Sequence, residues 1–67
     1  MADALRNRLR EAREAKGLTQ AELAGLIGVS RKTVNTVENG VFVPSTPVAL
    51  KLARALGERV EALFWLD

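Results

Sequence analysis

The sequence predicts an all-α fold: five short helices in one compact bundle, with no strands. Two observations predict it. Apolar residues recur at the three- and four-residue spacing of a helix face, as in Leu23, Ala24 and Ile27 and again in Leu52, Ala53 and Leu56. Between these stretches stand residues that start and stop helices: Thr19, Ser30 and Ser45 on the entering side, and Gly17, Gly28, Asn39-Gly40 and Gly57 on the leaving side.

The first helix is expected from about Asp3 to Lys16, with Leu5, Leu9 and Ala12 inward and Gly17 as its stop. A second helix starts at Gln20. Thr19 can cap it through its hydroxyl, and Glu22 stands where its side chain can reach back to the Thr19 amide in a capping box. Leu23, Ala24 and Ile27 form its apolar stripe, and Gly28 ends it because glycine turns left-handed without a side-chain clash. After the apolar plug Val29, Ser30 caps a third helix whose inward residues are Val34 and Val37 and whose stop is Asn39-Gly40. Helices joined by so short a turn cross steeply and approach closely, and Ala24 is small where that approach falls. Pro44 fixes the loop from Gly40 to Ser45 and discourages helix at Val43. Ser45 or Thr46 then caps a fourth helix, with Pro47 tolerated in its first turn, Val48, Leu52, Ala53 and Leu56 on the core and Gly57 at its end. A last helix is expected over roughly Val60 to Leu66. No linker, repeat or low-complexity tract intervenes, so residues 1–67 read as one domain with a helix pair at about 20–39.

A chain of 67 residues buries a modest core and gains from a partner such as a second copy of itself. It has neither cysteine nor histidine, so no disulfide framework, no ordinary zinc set and no Ser-His or Cys-His pair is available; no metal and no cofactor is expected. Glu11 and Glu14 are the carboxylates that could pair for hydrolysis, but they occupy exposed positions of one helix with no pocket implied, and no enzymatic role is expected. The N-terminal stretch mixes both charge signs without an apolar run, which is neither a signal peptide nor a membrane span and points to a cytoplasmic protein. Net charge is +2, and Arg6, Arg8, Arg10, Arg13 and Lys16 supply five of the ten basic residues. Interleaved with Glu11 and Glu14, Arg6, Arg8 and Arg10 read as a solvated helix face.

Residues 19–40 carry the functional signal: two short helices, a tight glycine turn and a basic pair opening the second helix suit the placing of a helix in the major groove of DNA. Arg31 and Lys32 sit in a first helical turn, where the helix dipole opposes cations by about 0.3 to 1 kcal/mol each. Either they are merely solvated, or something anionic outside the fold favours them, as phosphates and guanine edges would.

The run of Gln20, Leu23, Ala24, Ile27, Gly28, Val29, Val34 and Val37 resembles the helix-turn-helix of the Cro and phage-repressor type, also called the xenobiotic-response-element type. The resemblance extends through Arg13, Glu38-Asn39-Gly40, Pro44-Ser45, Leu52-Ala53 and Leu56-Gly57, almost the whole chain. It implies a λ-repressor-like DNA-binding domain and a partner in double-stranded DNA. By position it implies that Arg31, Lys32, Thr33, Asn35 and Thr36 read bases, and that Gln20, Ser30, Asn39 and Arg13 meet phosphates. It further implies a partly buried salt bridge from Arg13 to Glu38 that ties the first helix to the third. Asn35 could pair with adenine or bond locally.

The loop departs from the pattern, with Val41-Phe42-Val43 where many relatives carry a basic or polar residue, and Phe42 is read as packing on Pro44 or meeting a second copy. The tail Leu63-Phe64-Trp65-Leu66 is apolar on every side of a helix, so part of it must be exposed or covered. Phe64, Trp65 and Leu66, with Phe42 second, are the expected dimer seam. The function expected is a transcriptional repressor that binds a palindromic operator as a homodimer. Its rivals are the DNA-binding module of a longer ligand-sensing regulator, and an antitoxin or adaptor whose main partner is a protein.

Overall fold

The computed structural model describes residues 3–67, so Met1 and Ala2 of the expected 1–67 domain lie outside the described residues. Five helices follow in order: α1 Leu9–Ala15, α2 Gln20–Ile27, α3 Arg31–Glu38, α4 Thr46–Leu56 and α5 Val60–Leu63. Two short strands, β1 Leu5–Asn7 and β2 Phe64–Leu66, pair antiparallel with Leu5 opposite Leu66, Arg6 opposite Trp65 and Asn7 opposite Phe64.

The middle of the chain is built by its caps. Thr19 Oγ1 accepts from the Glu22 amide at 3.0 Å while the Thr19 amide donates to Glu22 Oε1 at 2.8 Å, so both halves of the capping box are present. Gly28 closes α2 at φ 73°, and Val29 follows with its amide on the Ala24 carbonyl. Ser30 Oγ then accepts from the Thr33 amide at 3.1 Å and starts α3. Ser45, not Thr46, caps α4, which ends at the left-handed Gly57. Leu9, Leu23, Val34, Val37, Leu52, Leu56 and Leu63 are the largest fully buried apolar side chains, and they come from all five helices. Ala24 is buried in the core, its small side chain suiting the close approach of α2 and α3 across so short a turn.

Both ends of the chain depart from expectation, and the fold is therefore not strictly all-α. The helix expected from Asp3 begins only at Leu9, and the helix expected to run to Leu66 stops at Leu63. The strand geometry resolves the difficulty that the apolar tail poses for a helix. Side chains alternate across a strand, so Phe64 turns into the core while Trp65 faces outward. Leu5 packs against the core as expected, but from a strand. The ribbon is closed at one end by the Asp67 amide on the Ala4 carbonyl (2.8 Å) and at the other by the Arg8 amide on the Leu63 carbonyl (3.0 Å). Asn7 makes the transition to α1, because its Oδ1 accepts from the Leu9 amide at 3.0 Å.

Candidate nucleic-acid interface

The exposed side of α3 is bounded by α2 at one end and by the loop after Asn39 at the other. Arg31 and Lys32 open the helix, are exposed, and make no ion pair among the described residues. Together with Asn35 they line a shallow hollow. Thr33 and Thr36 lie along the same helix and are half-buried. Ser30 Oγ and Thr33 Oγ1 share a hydrogen bond of 2.9 Å, so the capping serine is engaged before any ligand arrives.

Behind this ridge, a buried ion pair positions the helix. Arg13 Nε donates to Glu38 Oε2 at 2.6 Å and its Nη2 to Glu38 Oε1 at 3.3 Å, while Nη1 donates to the Leu18 carbonyl at 2.6 Å. The Glu38 side chain is completely buried, and Arg10 Nε approaches it at 3.6 Å. Burial by itself would raise the Glu38 carboxyl, yet the hydrogen bonds from Arg13 and Gln20 and the charges of Arg13 and Arg10 outweigh it and hold the group below the usual glutamate range. The hydrogen bond to Glu38 in turn raises the Arg13 guanidinium, against the opposing effect of its own burial. Only 8% of Arg13 is exposed, and its guanidinium is engaged by Glu38 and the Leu18 carbonyl, which leaves little of it for the phosphate contact also expected of it. Arg10, expected on a solvated face, adds its charge to the same carboxylate.

Three residues expected to meet DNA are joined to one another. Gln20 Nε2 donates to Glu38 Oε1 at 3.0 Å and to Asn35 Oδ1 at 3.2 Å. Asn39 Nδ2 donates to the same Asn35 oxygen at 3.1 Å and to the Asn35 carbonyl at 2.9 Å. Gln20 thus has its carbonyl oxygen left over, which a phosphate cannot use, and the open donors at that end of α2 are backbone amides of the first turn. Sequence reasoning missed this network. Its signal was the choice of amides, which can both donate and accept, at Gln20, Asn35 and Asn39.

Of the expected dimer seam, Phe64 is taken into the domain's own core, whereas Trp65 is 44% and Leu66 63% exposed. Phe42, at 49%, lies beside Val43 and Pro44 over a small hollow.

Residues 9–63 match the helix-turn-helix family HTH_3. The chain belongs to this family, of the Cro/C1 type. An uncharacterized HTH-type transcriptional regulator of Methanothermobacter thermautotrophicus is 47% identical over 64 residues, covering 94% of this chain and 93% of the relative. The uncharacterized HTH-type transcriptional regulator YgzD of Bacillus subtilis is 38% identical over 63 residues, covering 94% and 96%. Among solved structures, the restriction-modification controller protein C.AhdI of Aeromonas hydrophila superposes with a TM-score of 0.78 at 47% identity, over 82% of this chain and 83% of that one. The two sequence relatives are HTH-type transcriptional regulators, and this chain is a DNA-binding regulator of the same family. No helix among the described residues is long and apolar enough to cross a membrane.

Proposed function

We propose that the protein is a cytoplasmic repressor that binds a palindromic operator as a homodimer, with α3 in the major groove. The observation that carries this reading is the pair Arg31 and Lys32, two cations without a carboxylate partner among the described residues, at the start of a helix whose other end is fixed by a buried salt bridge. Positive charge placed against the helix dipole is explained when an anion lies outside the fold. Thr33, Asn35 and Thr36 extend the reading surface, and Asn35 keeps its amide hydrogens for a base because its oxygen is engaged internally. Ser30, Asn39 and the first turn of α2 with Gln20 flank the groove on the phosphate side. The exposed Trp65 and Leu66 are the surface offered to a second copy, and on a palindrome two copies of α3 would stand about one helical turn of DNA, roughly 34 to 36 Å, apart.

Selection of duplexes from a random pool, followed by titration at two salt concentrations, tests the reading. A palindromic consensus with a steep salt slope is the expected result. Arg31→Ala or Lys32→Ala is expected to lower discrimination by about 1 to 3 kcal/mol at the matching base pair. An unchanged ranking of operator variants in Arg31→Ala removes that residue from base reading, and a salt-independent titration removes DNA altogether.

A further inference from the structure

Thr33 and Thr36 have both hydroxyls committed within the protein. Thr36 Oγ1 donates to the Lys32 carbonyl at 2.9 Å and lies 3.1 Å from the Thr33 carbonyl, while Thr33 Oγ1 is held by Ser30 Oγ. Thr36 therefore has a methyl group to offer a ligand rather than a free donor, and Thr33 presents its methyl group beside a hydroxyl already paired with Ser30. Opposite them, the chain after α3 doubles back. The amides of Val41 and Phe42 both donate to the Thr36 carbonyl, at 2.9 and 3.2 Å, which pins two exposed apolar side chains alongside α3. Ser30, Lys32, Thr33, Thr36, Val41 and Phe42 together enclose an open slot of about 270 Å³. Its walls are largely apolar, and the charge it holds is Lys32, unpaired among the described residues.

We propose that this slot reads thymine by taking the 5-methyl group that projects into the major groove, while Lys32 at its rim meets the anionic strand beside it. The proposal rests on the reading of α3 as the helix that enters the groove. Thymine alone among the four bases carries a methyl group on that edge. Cytosine at the same place presents only a C5 hydrogen to the slot and leaves it unfilled, which forgoes the burial of the methyl group. The positive rim selects a polyanion over a neutral apolar ligand, and continuity with Arg31 and Lys32 selects the major-groove edge of duplex DNA. Val41 and Phe42 thereby stand in the loop as part of the base-reading surface, where a basic residue would have gripped a phosphate.

The test begins with duplexes recovered from a random pool, in which each thymine is then replaced by uracil, a change that deletes the methyl group alone. At the matched position uracil is expected to bind about fourfold more weakly, the worth of one buried methyl group. Thr36→Ser, which keeps the hydroxyl, and Val41→Ser, at an exposed loop position, are each expected to reduce that preference for thymine. Circular dichroism confirms that both variants fold. Selective binding with uracil tolerated at every position overturns the slot and leaves the DNA reading intact. Full thymine preference in both folded variants overturns the slot as well, because the methyl group is then read elsewhere. Failure to recover any preferred duplex overturns the reading of α3, and the slot with it.

Discussion

At Glu38, three neighbours and burial decide the state of one carboxylate. Arg13 and Gln20 hydrogen-bond it, Arg10 adds charge at 3.6 Å, and the protein covers it completely. Because the folded chain holds this carboxyl below its ordinary value of 4.5, its contribution to stability is complete above that value and is lost as the pH falls through the lower folded one. Replacing Glu38 with Gln strands the Arg13 guanidinium in a buried site and is expected to cost about 3 to 5 kcal/mol at neutral pH in urea unfolding. Below the lowered folded value the wild type and the variant should converge. Replacing Arg13 and Glu38 together with apolar residues of similar size should cost less than either change alone; additive losses in the double-mutant cycle contradict a shared bridge. Composition could not reveal this pair, which lies 25 positions apart; the resemblance to phage repressors implied it. The amide network around it escaped notice because each of its residues also has a plausible role on DNA.

The elements that were legible are those whose signals are local. α2, α3 and α4 announce themselves through Thr19, Ser30, Ser45, Gly28 and Gly57, where one residue decides the backbone within a turn. Two glycines of α2 separate the conformational effects cleanly. A Cβ at Gly25 or at Gly28 would meet nothing within 4 Å, so any change in stability comes from the backbone. Gly25 lies inside the helix, and Gly25→Ala should stabilise by about 0.5 to 1 kcal/mol. Gly28 sits at φ 73°, and Gly28→Ala should destabilise by about 1 to 2 kcal/mol. Thermal unfolding of the two variants checks the opposite signs, and the same sign for both contradicts the account. The ribbon of β1 and β2 was not legible. Strands of three residues are too short to display alternation, and Leu5 and Leu9 fall at a spacing that a helix explains equally well. The one trace was negative: four successive apolar residues could not share a helix face.

For the molecule as a whole, the exposed Trp65 and Leu66 bear on assembly. If they form the seam between two copies, Trp65 emission should shift to the blue as concentration rises, in step with the mass seen by sedimentation. Leu66→Ser, which spares the core residue Phe64, should weaken association and abolish cooperative operator binding while leaving single half-sites bound. A protein that stays monomeric at high concentration and binds its operator without cooperativity excludes this seam.

The antiparallel ribbon also fixes how the molecule answers a pull on its two ends. Ala4 and Asp67 meet at the open mouth of the ribbon, and Arg8 and Leu63 meet at its base. Tension between the ends therefore breaks these bonds one after another, as a zipper opens, and not all at once in shear. The opening next reaches Asn7, whose Nδ2 donates to the Val37 carbonyl in the last turn of α3 at 3.0 Å. Force on the ends is thus delivered, before it reaches the turn at Gly28, to the foot of α3, where the Arg13–Glu38 bridge is the next bond to resist it.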